Sequence, residues 1–265
     1  MHDQSSTQAS MIVQSESVPS HGEHTSATSG TSNSIPGVLR GTVALSIRTH
    51  HAKGLVLGRD SSLDKPAIIG LFGFADRSRV IWNAARADDP YADWWLIKID
   101  AALERARHRI GIEQALLEQC LERLSLLEIQ IATSDQRYRV VLQFANPYAY
   151  WAAHLIAKFD QAARTLLTAK QVGVLSAEAA ARTLTACGRT IRGLLAVPQG
   201  YRPLHINRAL MHEDGAAARR AIECMGNVPP EVLSGARKAP LAPQNSTSPI
   251  SRELRADQRP IADTP

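Results

Sequence analysis

Apolar positions along the chain change period several times, and each change predicts an element. In RGTVALSIRTHH, Val43, Leu45 and Ile47 alternate with Thr42, Ala44, Ser46 and Arg48, the two-residue period of a half-buried strand. HAKGLVLG predicts a helix of about two turns, followed by the polar loop RDSSLDKP. In AIIGLFGFADRSRVIWNAAR, Ile69, Phe72, Val80 and Ala84 fall near helical spacing, with Gly70 and Gly73 weakening the first turns. DDPYADWW is a helix start, since Asp89 can cap the exposed N–H groups and Pro90 has no N–H to leave unpaired. Trp95, Ile99, Ala102, Leu103, Ala106 and Ile110 then mark one face, which Leu117, Leu121 and Leu124 extend. An unbroken helix to Leu124 would be about 50 Å long. That length suits a coiled arm, a pair of helices bent at Gly111, or the spine of a dimer.

LLEIQIATSDQRYRVVLQF predicts a hairpin, with Ile129 and Ile131 alternating before the ATSDQ turn and Val140, Leu142 and Phe144 after it. Asn146 and Pro147 start a second helix through Trp151, Leu155, Ile156, Phe159, Ala163, Leu166 and Leu167. Ser176 starts a third, running through Ala180, Leu184, Cys187, Ile191 and Leu194 and stopping before Pro198. Shorter helices are expected near residues 205 to 213 and 214 to 225. The pattern is that of a mainly α chain with a small antiparallel β ribbon, an α+β class.

Composition adds the ends. Residues 1 to 37 are rich in Ser, Thr, Gln and His and have almost nothing to bury, so they read as a disordered arm. A Pro-rich disordered tail is expected from 229 to 265, with a short docked stretch around Val232 to Ala236, leaving residues 38 to 228 as a single, mainly helical domain. No apolar run reaches the roughly 20 residues that cross a bilayer, and MHDQSSTQAS carries no basic and apolar leader pattern. A cytoplasmic protein is expected. Cys120, Cys187 and Cys224 lie far apart and are odd in number, which argues against a disulfide framework or a zinc knuckle. The formal net charge of +5 permits a polyanionic partner without demanding one.

The sequence lacks GxxxxGK[ST], GxGxxG after a strand, HExxH and GxSxG, so no catalysis and no cofactor are expected. Gly70 and Gly73 sit among bulky apolar residues, which favours close packing over a phosphate cradle. Asp88, Asp89 and Asp93 offer oxygen ligands for Mg²⁺, but capping and dipole complementarity explain them as well. HGEH, residues 21 to 24, falls in the arm, and no metal is expected there. Trp94 and Trp95, like Tyr148, Tyr150 and Trp151, read as packed rather than base-stacking, and Cys187 as core.

The outer face of the first strand offers Thr42, Ala44, Ser46, Arg48 and His50. An antiparallel two-stranded ribbon fits the major groove of B-DNA, where Arg can pair with guanine O6 and N7. A solvated edge strand gives the same pattern. A second candidate ribbon, with Arg137, Arg139 and Gln143, also precedes two helices, so the pattern leaves open which strand would read bases.

HHAKGLVLGRD, IIGLFGF, DDPYADWWLIKI, FANPYAYWAAHLIAKFD and VPPEVLSGARKAPLAP together resemble the integrating conjugative element protein family that includes the AcaB-like transcriptional regulators. The resemblance covers about residues 38 to 243, and DDPYADWW is its most specific piece. It implies a ribbon-helix-helix-related core, about residues 40 to 87, with a long helical extension over about residues 89 to 228. It also implies a homodimer that binds double-stranded DNA in promoter regions of a mobile element and regulates transfer genes. Carried onto this chain, the ribbon would be Thr42 to Thr49, with Ser46 and Arg48 toward DNA; Arg40, Lys53, Arg59, Arg77 and Arg79 are then expected to neighbour the phosphates. The competing expectation is an interaction module of the element's maintenance or transfer machinery, with the helix from Pro90 to Leu124 as its assembly surface. No small-molecule ligand is expected.

Overall fold

Side-chain caps open most of the longer helices. In a computed structural model that describes residues 43–62, 66–122, 130–132, 136–143 and 145–244, the strand β1 (Val43–Ile47) leads into α1 (His50–Leu57). Thr49 caps α1, its hydroxyl accepting from the Ala52 N–H at 3.3 Å. After α2 (Leu71–Arg86), Asp89 caps α3 (Pro90–Glu122), accepting from the N–H groups of Tyr91 and Ala92 at 2.8 and 3.1 Å. Beyond β2 (Tyr138–Leu142), Asn146 caps α4 (Pro147–Gln171) and Ser176 caps α5 (Ala177–Ala196). A short 3-10 turn, Val197–Gly200, precedes α6 (Arg208–His212), α7 (Ala216–Met225) and α8 (Pro230–Leu233).

Helix α3 passes through Gly111 without interruption for 33 residues, so the bent-pair expectation is not met. Its apolar face packs against α2, α4 and α5, and one core runs from Leu45 to Ala239. Helix α2 starts at Leu71, because Gly70 is its N-cap. Among the described residues, no helix is long and apolar enough to cross a membrane.

The expected hairpin is corrected. Residues 130–132 form no strand, and β2 pairs antiparallel with β1 in a two-stranded sheet. Residues 126–129 and 133–135 of that expected hairpin lie outside the described residues, as do Phe144, the whole arm of residues 1–37 with its HGEH stretch, and residues 245–265, whereas residues 229–244 of the expected tail carry α8 and put Val232 and Ala239 into the core. The register sets Val43 opposite Leu142, Leu45 opposite Val140 and Ile47 opposite Tyr138. These side chains share the inner face, with Leu45, Ile47 and Leu142 buried. The segment between the strands carries α1, α2 and α3, so the strands meet through packing on one core, where their matched apolar faces are covered together.

Gly58 and Gly70 let two backbones touch. Gly58 has φ +75°, and Arg59 and Ile68 exchange N–H···O bonds of 2.8 and 2.7 Å beside it. A Cβ at Gly70 would sit 2.5 Å from both the Gly58 nitrogen and the Val56 carbonyl oxygen. The packing reading of Gly70 holds on this geometry. Gly70→Ala is therefore expected to cost about 1–3 kcal/mol in urea unfolding, through overpacking against backbone that has no room to yield. Gly111→Ala, in a helix interior with open space around the added carbon, should instead stabilise by about 0.5–1 kcal/mol. Equal effects of the two substitutions would contradict the packing account.

Candidate nucleic-acid interface

The pairing of β1 with β2 joins the two candidate ribbons into one. Directly opposed residues of antiparallel strands share a face, so Ser46 lies opposite Arg139 and Ala44 opposite Val141 on the side away from the core. All four are exposed. Both strands belong to the same chain, so this ribbon needs no second copy to complete its pairing.

One end of the ribbon is basic. Arg48 and Arg137 flank the Ile47–Tyr138 pair, and the Lys53 ammonium of α1 lies 5.2 Å from the centre of the Tyr138 ring. Arg137 and Arg139 are exposed, and among the described residues neither guanidinium donates to a protein acceptor. Arg48 is half-buried. His50 is exposed at the start of α1, its ring centre 3.9 Å from that of His51 and tilted 36° to it. Burial, and then the neighbouring His50 charge, hold His51 below the ordinary imidazole range. Gln143 is exposed just beyond β2, whereas Arg40 and Thr42 lie outside the described residues. Arg59 donates to the Pro66 carbonyl at 2.9 Å, and Arg77 and Arg79 are exposed on α2.

Asp160, which the sequence reading did not single out, fixes where the ribbon meets α1. This buried carboxylate of α4 accepts from the Arg48 N–H at 3.1 Å, the Thr49 N–H at 2.9 Å and the Thr49 hydroxyl at 2.7 Å. The signal was present, because Asp160 falls on the stripe of Ile156, Phe159 and Ala163, where an unpartnered carboxylate would be costly.

The acidic cluster at the start of α3 is already engaged. Asp89 uses one oxygen for its cap and accepts from the Tyr201 hydroxyl with the other at 2.6 Å. Burial raises its carboxyl above the usual range, with the Tyr201 and backbone hydrogen bonds opposing that shift. Burial, then the Asp89 charge, pushes the Tyr201 phenol well above its ordinary value. Arg208 bridges Asp88 and, at 2.7 Å, Asp93, while donating to the carbonyls of Leu233 and Val232 at 2.9 and 3.0 Å. These bonds tie the start of α3 to α6 and α8. Among the described residues no group of three His, Cys, Asp or Glu is placed to hold a metal.

The aromatic residues are mostly packed. Trp95 is buried and donates to the Val197 carbonyl at 3.2 Å, while Trp94 is half-buried with the Lys98 ammonium 3.3 Å from its ring centre. Tyr148 is buried and Trp151 lies under the Arg107 guanidinium at 4.2 Å, whereas Tyr150 is 39% exposed, against the packed expectation. Cys187 is buried in the core.

A family model described as "Transcriptional regulator AcaB" matches residues 35–245. The crystal structure of selenomethionine-containing AcaB from uropathogenic E. coli is similar in fold, with a TM-score of 0.52 at 14% identity, over 77% of this chain and 100% of that one. No curated protein matches the chain.

Proposed function

The chain belongs to the AcaB transcriptional regulator family, and from that premise we propose that it is a non-catalytic, site-specific DNA-binding protein that regulates the conjugative-transfer genes of an integrating conjugative element. The observation that carries this reading is the exposed outer face of the ribbon, where Ser46 opposes Arg139. In this reading the ribbon enters the major groove of promoter DNA with that face toward the bases. Arg48, His50, Lys53, Arg137 and Gln143 then border the phosphates. The protein works in the cytoplasm as a homodimer, each copy placing one ribbon on a half-site, without cofactor or metal.

Phosphate contacts supply affinity that falls with salt, whereas base contacts supply selectivity. Fluorescence anisotropy with upstream fragments of the element and with scrambled DNA, over a salt series, tests the reading. Tighter binding to one element fragment, with a negative salt slope on both DNAs, is the expected result. Arg139→Ala should relax the preference at one base position by about 1–3 kcal/mol. Equal losses on preferred and scrambled DNA would instead reduce Arg139 to a phosphate contact.

A second reading, an assembly module of the transfer machinery, draws on Ile112 and Leu116. They stand 44% and 53% exposed on successive turns of α3. Absence of DNA binding at low salt would favour it.

A further inference from the structure

The outer face of the ribbon is divided along its length. Toward the α1 end it presents Ser46 and Arg139, with Arg137 beyond; toward the other end it presents Ala44 and Val141. Val141 is 51% exposed, and its Cβ faces away from the core that Val140 and Leu142 help to build. Ala44 stands opposite it, also exposed, and cross-strand partners of this kind are about 4.5–5.5 Å apart. The pair therefore forms a small apolar pad beside an arginine that has no protein acceptor among the described residues.

In the major groove, the apolar feature that distinguishes one base from the others is the thymine C5 methyl, and arginine pairs best with guanine. Resting on the DNA-binding reading above, we propose that Val141, backed by Ala44, is a specificity-determining contact for a thymine methyl, next to a guanine read by Arg139. Arg139 and Val141 are two residues apart on one strand, about 6.6–6.8 Å along the ribbon. Successive base pairs are about 3.4 Å apart, so the thymine lies within about two base pairs of the guanine.

The experiment starts from sites selected out of randomised DNA by the full chain. Each thymine of the preferred site is then replaced in turn by deoxyuridine, which removes only the methyl, and affinity is measured for the wild type and for Val141→Ala. One replacement, within about two base pairs of the guanine whose loss Arg139→Ala no longer senses, should weaken wild-type binding about fourfold, as expected for one buried methyl. The same replacement should leave Val141→Ala unaffected. Because Val141 is exposed, the variant is not expected to disturb the fold, and the deoxyuridine series on the wild type is independent of any variant. A preferred site whose methyls are all dispensable, or a methyl effect that persists in Val141→Ala, overturns this inference and leaves the DNA-binding reading standing. Binding without any preferred sequence overturns both.

Discussion

Arg208→Met is expected to destabilise the protein by about 3–5 kcal/mol, the range for removing one partner of a buried ion pair. Asp93 is fully buried, and apart from Arg208 the nearest ammonium is that of Lys238, at 3.9 Å. Removing the guanidinium also leaves the carbonyls of Val232 and Leu233 without their donor, so α8 loses its tie to the start of α3. Methionine keeps most of the aliphatic stem, which separates charge from packing. Arg208→Lys should recover part of the loss only, because an ammonium cannot span Asp88 and Asp93 while reaching two carbonyls. Urea unfolding of the three proteins measures this. A Met variant within about 1 kcal/mol of wild type would mean that the network contributes specificity rather than stability.

Asp160→Ala should have the next largest effect, about 3 kcal/mol or more, because two backbone N–H groups and the Thr49 hydroxyl lose their acceptor together. The consequence reaches the candidate interface, since these bonds hold the last turn of chain between β1 and α1. With the junction loosened, the outer face loses its fixed orientation, and the preference for an element fragment over scrambled DNA should shrink more than the affinity for scrambled DNA. Asp160→Asn keeps one carbonyl oxygen for Thr49 and should be intermediate in both measurements. A variant that unfolds more easily but retains the full preference for its site would confine Asp160 to a stabilising role.

Much of the helical frame was legible from side chains acting locally. Asp89 with Pro90, Asn146 with Pro147, and Ser176 each accept from backbone N–H groups two or three residues ahead, so their effect is written in neighbouring positions. The same is true of β1, whose alternation needs only its own sequence. The hairpin failed for the complementary reason. Period two identifies a strand but not its partner, and the inner face of β2 fits that of β1, which rests on α4. The candidate interface was half legible. Ser46, Arg139 and their alternation were visible, but as two competing ribbons, because the register that unites them is not encoded within either segment. Val141 drew no notice, since an apolar residue in a strand is unremarkable until its face is known.

By itself, then, the sequence determined the helix starts, the strand-forming segments and the resemblance to a regulator family, all carried by contacts a few residues long or by quoted motifs. Only the tertiary structure decided that β1 pairs with β2, that Asp160 holds their junction to α1, and that Arg208 closes the acidic cluster. Those contacts join residues about ninety or more positions apart, and they are selected by matching of buried faces and by the cost of leaving buried charge unpaired. Neither quantity exists until the chain has folded.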